Sequence, residues 1–276
     1  QSGNTFSNDR VSISFSPETG AMTSYQLDSK ELLSTPVTVS LYRPITDNDN
    51  RDRNGARLWK AAGLDKLTQQ TKTFRTGKNS VQTTVALLND KGETVGTAMQ
   101  DYKLNSNGTI VIATTFTPDT SIVKSLARIG LTFEMPAEYA QVSYLGRTGE
   151  TYVDRIQSGR IAIDHTDAER MFHYYVKPQS TGNRMDMRWA TITNESGSGL
   201  YVTAARPWQF SLVPFSDSNI DASTHINQLR RSGTVTVHLD AEQAGVGTAT
   251  CGPGVLPQYL VPVEKTMFEF VIRPME

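Results

Sequence analysis

Apolar and polar residues alternate along much of the chain. Val11-Ser-Ile13-Ser-Phe15, Val37-Thr-Val39-Ser-Leu41, Thr109-Ile-Val-Ile-Ala-Thr-Thr-Phe116, Thr234-Val-Thr-Val-His-Leu239 and Phe268-Glu-Phe270-Val-Ile272 repeat every two residues, the period of a strand that buries one face. Between such stretches lie Pro17-Glu-Thr-Gly20, Asn89-Asp-Lys-Gly92, Asn105-Ser-Asn-Gly108, Glu195-Ser-Gly-Ser-Gly199 and Ser232-Gly233, turn sequences in which Gly and Asn accept a positive φ. The spacing predicts a long antiparallel meander. Helical periodicity is scarce: Ser218–Leu229, with Ser and Asp near its start, is the best short candidate, and Asp167–Phe172 is weaker. Thr46-Asp-Asn-Asp-Asn-Arg-Asp-Arg-Asn-Gly55, followed by Leu58-Trp-Lys-Ala-Ala-Gly63, interrupts the strands and reads as a long structured loop.

The chain has 276 residues, 37% of them hydrophobic and 20% charged, and a formal net charge of -1. No low-complexity segment, repeat or Pro-rich linker divides it, and all-β folds reach this length around a single core. Residues 1–276 are therefore expected to form one all-β domain. The charge balance lacks the positive excess that nucleic acid or an anionic membrane attracts, and no apolar run approaches the roughly 18–20 residues of a membrane span. Cys251 is the only cysteine, which excludes an internal disulfide and a multi-cysteine zinc site. The start Gln1-Ser2-Gly3-Asn4, without Met, points to a piece of a longer chain or a processed product.

Chemistry concentrates in the loop Tyr144-Leu-Gly-Arg-Thr-Gly-Glu-Thr-Tyr-Val-Asp-Arg155. Glu150, Tyr152, Asp154 and Arg155 supply donors, acceptors and a flat ring within six positions, enough to bind a polyhydroxylated ligand or to lock an interface. Of Tyr152, Trp59, Trp189 and Trp208, which could offer sugar-stacking faces, only Tyr152 is expected in an exposed loop, and adjacent Asp154 and Arg155 suggest a structural salt bridge. Arg43 with Asp47, Asn48 and Asp49 could bind sugar hydroxyls, but an Asx-rich turn after Arg-Pro is equally good loop architecture, with the acids capping amides or pairing with Arg51 and Arg53. The spacing there fails the EF-hand pattern, so no metal is assigned. Arg184, Asp186 and Arg188 alternate ahead of Trp189, as in an ion-pair ladder or a polar sheet face. Cys251, in a Gly-rich turn without a neighbouring His or cation, reads as a small, buried, inert thiol.

Four blocks taken together carry a resemblance: Leu41-Tyr-Arg-Pro-Ile-Thr-Asp-Asn-Asp-Asn50 with Trp59-Lys-Ala-Ala-Gly63, Gly146-Arg-x-x-Glu-x-Tyr-x-Asp-Arg155, Pro178-Gln-x-x-Gly-Asn-Arg-x-Asp-x-Arg-Trp189, and Gly245-Val-Gly-x-x-x-Cys-Gly-Pro253. In order and spacing the chain resembles, from about Thr5 to Ile272, the C-terminal small-chain domain of glycoside hydrolase family 2 β-galactosidases. The resemblance implies a large antiparallel β-sandwich, or supersandwich, of the galactose-mutarotase-like class, closing a multidomain and usually oligomeric enzyme. It places both catalytic glutamates in a separate TIM barrel, so no catalytic residue is assigned to this chain; Glu150, Tyr152, Asp154, Arg155 and Cys251 become candidates for bordering the galactoside site, and Arg43, Asp47, Asn48, Asp49 and Arg184 for structural loops. No cofactor is assigned here, while the resemblance allows Mg2+ and a monovalent cation in other domains of the parent. Its partners would be a galactoside or oligosaccharide and the parent's remaining domains, in a bacterial cytoplasm or periplasm.

The sequence departs from the family pattern at Thr148-Gly149, Thr151, Ser180 and Thr181, and at Cys251, where many relatives place a Trp near the galactose site. Two other classes stay open: a free-standing carbohydrate-binding module, and an aldose-1-epimerase-like enzyme using a His acid and a Glu base. For the latter, none of His165, His173, His225 and His238 stands beside a partner Glu in any local pattern.

Overall fold

The alternating segments do become strands in the computed structural model, which describes residues 3–276. Strands β1 (Thr5–Ser7), β2 (Val11–Phe15), β3 (Met22–Leu27) and β4 (Lys30–Glu31) form a small antiparallel sheet. A second, twelve-stranded sheet contains β5 (Thr38–Ser40), β6 (Thr68–Gly77), β7 (Ser80–Leu88), β8 (Thr94–Leu104), β9 (Ile110–Pro118), β10 (Arg128–Pro136), β11 (Gln141–Arg147), β12 (Ile161–Asp167), β13 (Arg184–Thr193), β14 (Gly199–Val213), β15 (Thr234–Gln243) and β16 (Thr266–Met275).

Only part of this sheet is the meander that the turns predict. β6 to β9 pair in sequence order, but β16 inserts between β9 and β14, and the path runs on through β13 and β11 to β12. The long strand β14 makes the sheet a sandwich. Its first half, Gly199–Ala204, pairs with β16, whereas Gln209–Val213 pair with β15, which leads on to β10 and β5. A strand that leaves one set of neighbours for another turns the sheet over on itself and encloses a core.

Burial follows the period of two: β9 alternates buried and half-buried positions from Ile110 to Phe116, and its inward residues meet Tyr102, Trp208, Phe210 and Phe270 in the main core. Trp208 packs edge-on against Phe210 and Phe270 at 5.7 and 5.4 Å. Each such ring stabilises the fold by about 1.5–3 kcal/mol. The small sheet is tied to this core through Phe15, 4.9 Å from Tyr102, and by the buried Tyr25 hydroxyl, which donates to the Gly108 carbonyl at 2.7 Å.

Two departures from the sequence reading concern helices. The stretch 46–63 is not a loop: it folds into α1 (Asp47–Arg51) and α2 (Ala56–Ala61). Thr46 accepts from the Asp49 amide and Asp49 accepts from the Thr46 amide, both at 3.0 Å, a capping box that satisfies two orphan donors of a one-turn helix. The region 218–229 contains a short α-helix, Asp217–Ala222, and a separate 3-10 turn, Ile226–Gln228, rather than one continuous helix. The weaker candidate holds, as a single turn over Ala168–Met171 capped by Asp167.

Candidate functional site

Four connections meet on one side of the sandwich: the entry to α1, the β11–β12 connection, the segment before β13, and the β15–β16 connection. The entry to α1 and the β15–β16 connection are joined by Arg43, which is fully buried. Its guanidinium donates to both Asp49 carboxylate oxygens at 2.7 and 3.1 Å, to the Gln243 side chain at 3.2 Å, and to the Ala244 and Gly245 carbonyls at 2.7 and 2.8 Å. The Trp59 and Tyr152 rings lie near it, at 5.5 and 5.9 Å. Burial alone would lower the Arg43 pKa, but the Asp49 carboxylate outweighs it, so the group stays charged. A planar fork of donors thus ties the entry to α1 to the end of β15 through five hydrogen bonds, more than the three donors of a Lys could make.

The β15–β16 connection is fastened by acids from two other segments. Asp154 accepts from the Val246 and Gly247 amides at 3.2 and 2.8 Å, and Asp52 accepts from the Val255 amide at 2.6 Å. Gly245 and Gly254 make this possible, since a Cβ on either would stand 2.7 Å from the Asp154 or Asp52 carboxyl. Asn48 completes the attachment, donating to the Gly247 carbonyl at 3.0 Å and accepting from the Thr250 amide and hydroxyl at 3.0 and 2.8 Å. Arg155 also donates to the Gly247 carbonyl. Segment 179–183 is joined in the same way: the Gln179 side chain accepts from the Asp47 amide at 2.9 Å, and the Asn183 side chain donates to the Thr151 carbonyl at 2.8 Å.

The result is an open polar cleft of about 460 Å³ whose lining includes Asp47, Asn48, Glu150, Tyr152, Ser158, Tyr175, Gln179 and Thr250. The predicted residues therefore converge but divide in role. Glu150, Asp47 and Arg155 face the cleft. Tyr152, expected in an exposed loop, is 3% exposed; burial first, and the Glu150 carboxylate second, push its hydroxyl well above the usual phenol range. Its ring borders the cavity edge but packs inward toward Arg43, which is why the loop does not present it.

Other expectations are corrected by tertiary partners. Asp154 does not pair with Arg155, because backbone amides of the β15–β16 connection claim its carboxylate. Asp49 pairs with Arg43 rather than with Arg51 or Arg53, and Asp47 lies 3.5 Å from Lys177. The ladder Arg184, Asp186, Arg188 does not form. Register shifts on both sides of Met187 break the alternation, so Arg184 turns inward to the Tyr144 hydroxyl at 3.1 Å while Asp186 bonds Arg147. Cys251 is exposed, not buried, in a turn held by its amide bond to the Thr248 carbonyl at 3.0 Å. Thr250 reaches the cleft; Cys251, one residue on, is absent from its lining.

Sequence reasoning missed Tyr175, Gln243 and Asn183 as parts of this assembly. Tyr175 stands in Phe172-His-Tyr-Tyr175, four consecutive rings with no strand alternation before a Pro, and that clustering was the available signal. Gln243 had none, because besides nearby Asp240 it acts through two neighbours distant in sequence, Arg43 and Asn183.

Among solved structures, the fold is similar to one in the aldose 1-epimerase class from Escherichia coli K12, with a TM-score of 0.51, 12% identity and 98% of each chain covered. Among curated sequences, the chain is 28% identical over 236 residues to a beta-galactosidase of Priestia megaterium, covering 84% of this chain and 22% of that protein. It is 27% identical over 262 residues to beta-galactosidase BgaC of Bifidobacterium adolescentis, covering 92% and 25%. The chain thus spans about a quarter of the length of the curated relatives it matches. With the family described as beta galactosidase small chain matching residues 7–272, over a galactose-mutarotase-like sandwich whose four polar blocks build one cleft, the chain belongs to the beta-galactosidase small-chain family.

Proposed function

We propose that this chain is the C-terminal domain of a glycoside hydrolase family 2 β-galactosidase that cleaves terminal β-D-galactosides with retention, and that its polar cleft forms part of the wall of the substrate entrance. The observation that carries the reading is the convergence of all four family-like blocks on one open cleft. Buried hydrogen bonds join the segments of that cleft, while Glu150, Asp47 and Thr250 line it.

Retention requires two carboxylates about 5–5.5 Å apart, one a nucleophile and one an acid/base. On the loop 146–155, Asp154 is engaged by two amides and cannot exchange protons with a substrate without releasing the β15–β16 connection. Asp47 stands beside Lys177. Glu150 therefore lacks a free carboxylate partner on its own loop, which supports assigning the catalytic pair to another domain of the parent. The epimerase reading is weaker, since no His is part of the cleft lining and His238 is buried, 3.1 Å from Asp217.

The test is an assay of the 276-residue chain beside its full-length parent on a chromogenic β-galactoside. The parent turns over and the chain alone matches the buffer rate. Turnover by the chain that disappears in Glu150→Gln would overturn the assignment. Submillimolar calorimetric affinity of the chain for free galactose would favour the carbohydrate-binding module instead.

A further inference from the structure

Strand β12 ends the path of the twelve-stranded sheet, with β11 on one side and, among the described residues, no strand on the other. The Thr148 amide donates to the Arg160 carbonyl and the Ala168 amide to the Ala140 carbonyl, both at 2.9 Å. Main-chain groups alternate sides along an antiparallel strand, so those of Arg160, Ala162 and Asp164 face β11 while the amides and carbonyls of Ile161 and Ile163 face away. Edge strands are ordinarily blunted by Lys, Pro or a bulge. β12 has none of these: it pairs with β11 without a register shift, and Ile161 and Ile163 are 50% and 62% exposed. The next outward amide, that of His165, is already satisfied by the Asp164 carboxylate at 2.9 Å.

Charge and register together point to one occupant. When a second β12 is laid antiparallel to the first about a twofold axis through Ala162, Ile161 stands opposite Ile163 of the copy and Arg160 opposite its Asp164. The Ile pairs exchange backbone hydrogen bonds that use every outward amide and carbonyl of Ile161 and Ile163, and the Arg and Asp side chains meet at the closer, non-hydrogen-bonded positions. Arg160 is exposed and has no ion-pair partner among the described residues. Asp164 is held by two neutral donors, the Tyr144 hydroxyl at 3.0 Å and the His165 amide, which leave its charge unpaired and its carboxylate with room for a guanidinium. Slipping the register by one repeat in either direction sets Arg160 opposite Ala162 or Thr166 and loses the charge match. We propose that the β12 edge is an interface with a second copy of this chain, through which the large sheet continues across a twofold axis.

A strand pair of this length is at the small end of specific interfaces, so the test traps it covalently in the full-length parent. Ala162→Cys sets two thiols opposite each other on strands whose Cα atoms are about 4.5 Å apart there, within disulfide range. Mild oxidation is expected to give a dimer in which mass spectrometry finds the two peptides carrying position 162 joined. Adding Arg160→Glu, which sets like charges opposite each other, lowers the yield at least about fivefold, and mixing those chains with Asp164→Lys chains restores it. Independently, the Ile161 and Ile163 amides are protected from hydrogen exchange in the parent, and Arg160→Glu exposes them. No joined peptide from a parent of unchanged melting temperature, or a yield indifferent to Arg160→Glu, overturns the pairing. So does the absence of protection, or protection that survives the charge reversal because another segment of the parent covers the edge.

Discussion

Among the described residues two buried arginine–aspartate pairs, joined through one glutamine, are built to different standards. Arg43 and Asp49 meet through two hydrogen bonds, and Arg43 is further bonded to Gln243 and two carbonyls. Arg128 and Asp240, linked to the same network because Gln243 donates to Asp240 at 3.2 Å, approach only to 3.5 Å. Arg128 Nε and Nη1 and Asp240 Oδ1 find no hydrogen-bond partner among the described residues. Burial is the main cause that holds the Asp240 carboxyl above its ordinary pKa, only partly offset by Arg128. The contrast separates a keystone from a tolerated inclusion, since a buried ion pair stabilises only when good geometry and further hydrogen bonds repay the loss of water.

The largest effect should come from breaking the keystone. Arg43→Met leaves Asp49 buried without its counter-charge and is expected to cost about 3–5 kcal/mol in urea unfolding; a loss of the size seen at exposed ion pairs would show that the cluster is not central. Next, Asp154→Ala strands the Val246 and Gly247 amides and should cost about 1–3 kcal/mol. Its amide exchange should rise over 245–250 ahead of the rest of the chain, and uniform exchange would argue against local fastening. The smallest change is expected from replacing both members of the weaker pair. Arg128→Met with Asp240→Leu should be neutral or stabilising near neutral pH, although Arg128→Met alone is costly. A carboxyl whose folded pKa is raised contributes most below its unfolded value of about 4, and loses that contribution as pH rises through the folded value. The double variant should therefore gain on the wild type from acid toward neutral pH. A constant difference across that range would remove Asp240 from the account.

Much of the fold was legible because strand formation is a local matter of period. Val11–Phe15 begins and ends as its alternation predicts, and Gly20, Gly92, Gly108, Gly197 and Gly233 in the predicted turns all adopt φ between 69° and 86°. The 46–63 helices were also signalled, by the Thr46-x-x-Asp49 capping box, but the run of Asx and Arg residues resembled a loop more than a helix. The strand order was not legible, since nothing in the turn sequences states that β16 inserts between β9 and β14.

The same division runs through the site. The amino-acid sequence alone determined which blocks carry the polar chemistry and that Glu150 and Asp154, four residues apart, share one loop, because composition and spacing are properties of the chain itself. Only the tertiary structure decided that Asp154 is spent on the Val246 and Gly247 amides while Glu150 faces the cleft, and that Tyr152 turns in while Tyr175 turns out. Those choices depend on which distant group removes each side chain from water, and desolvation is settled by packing, not by neighbours in sequence.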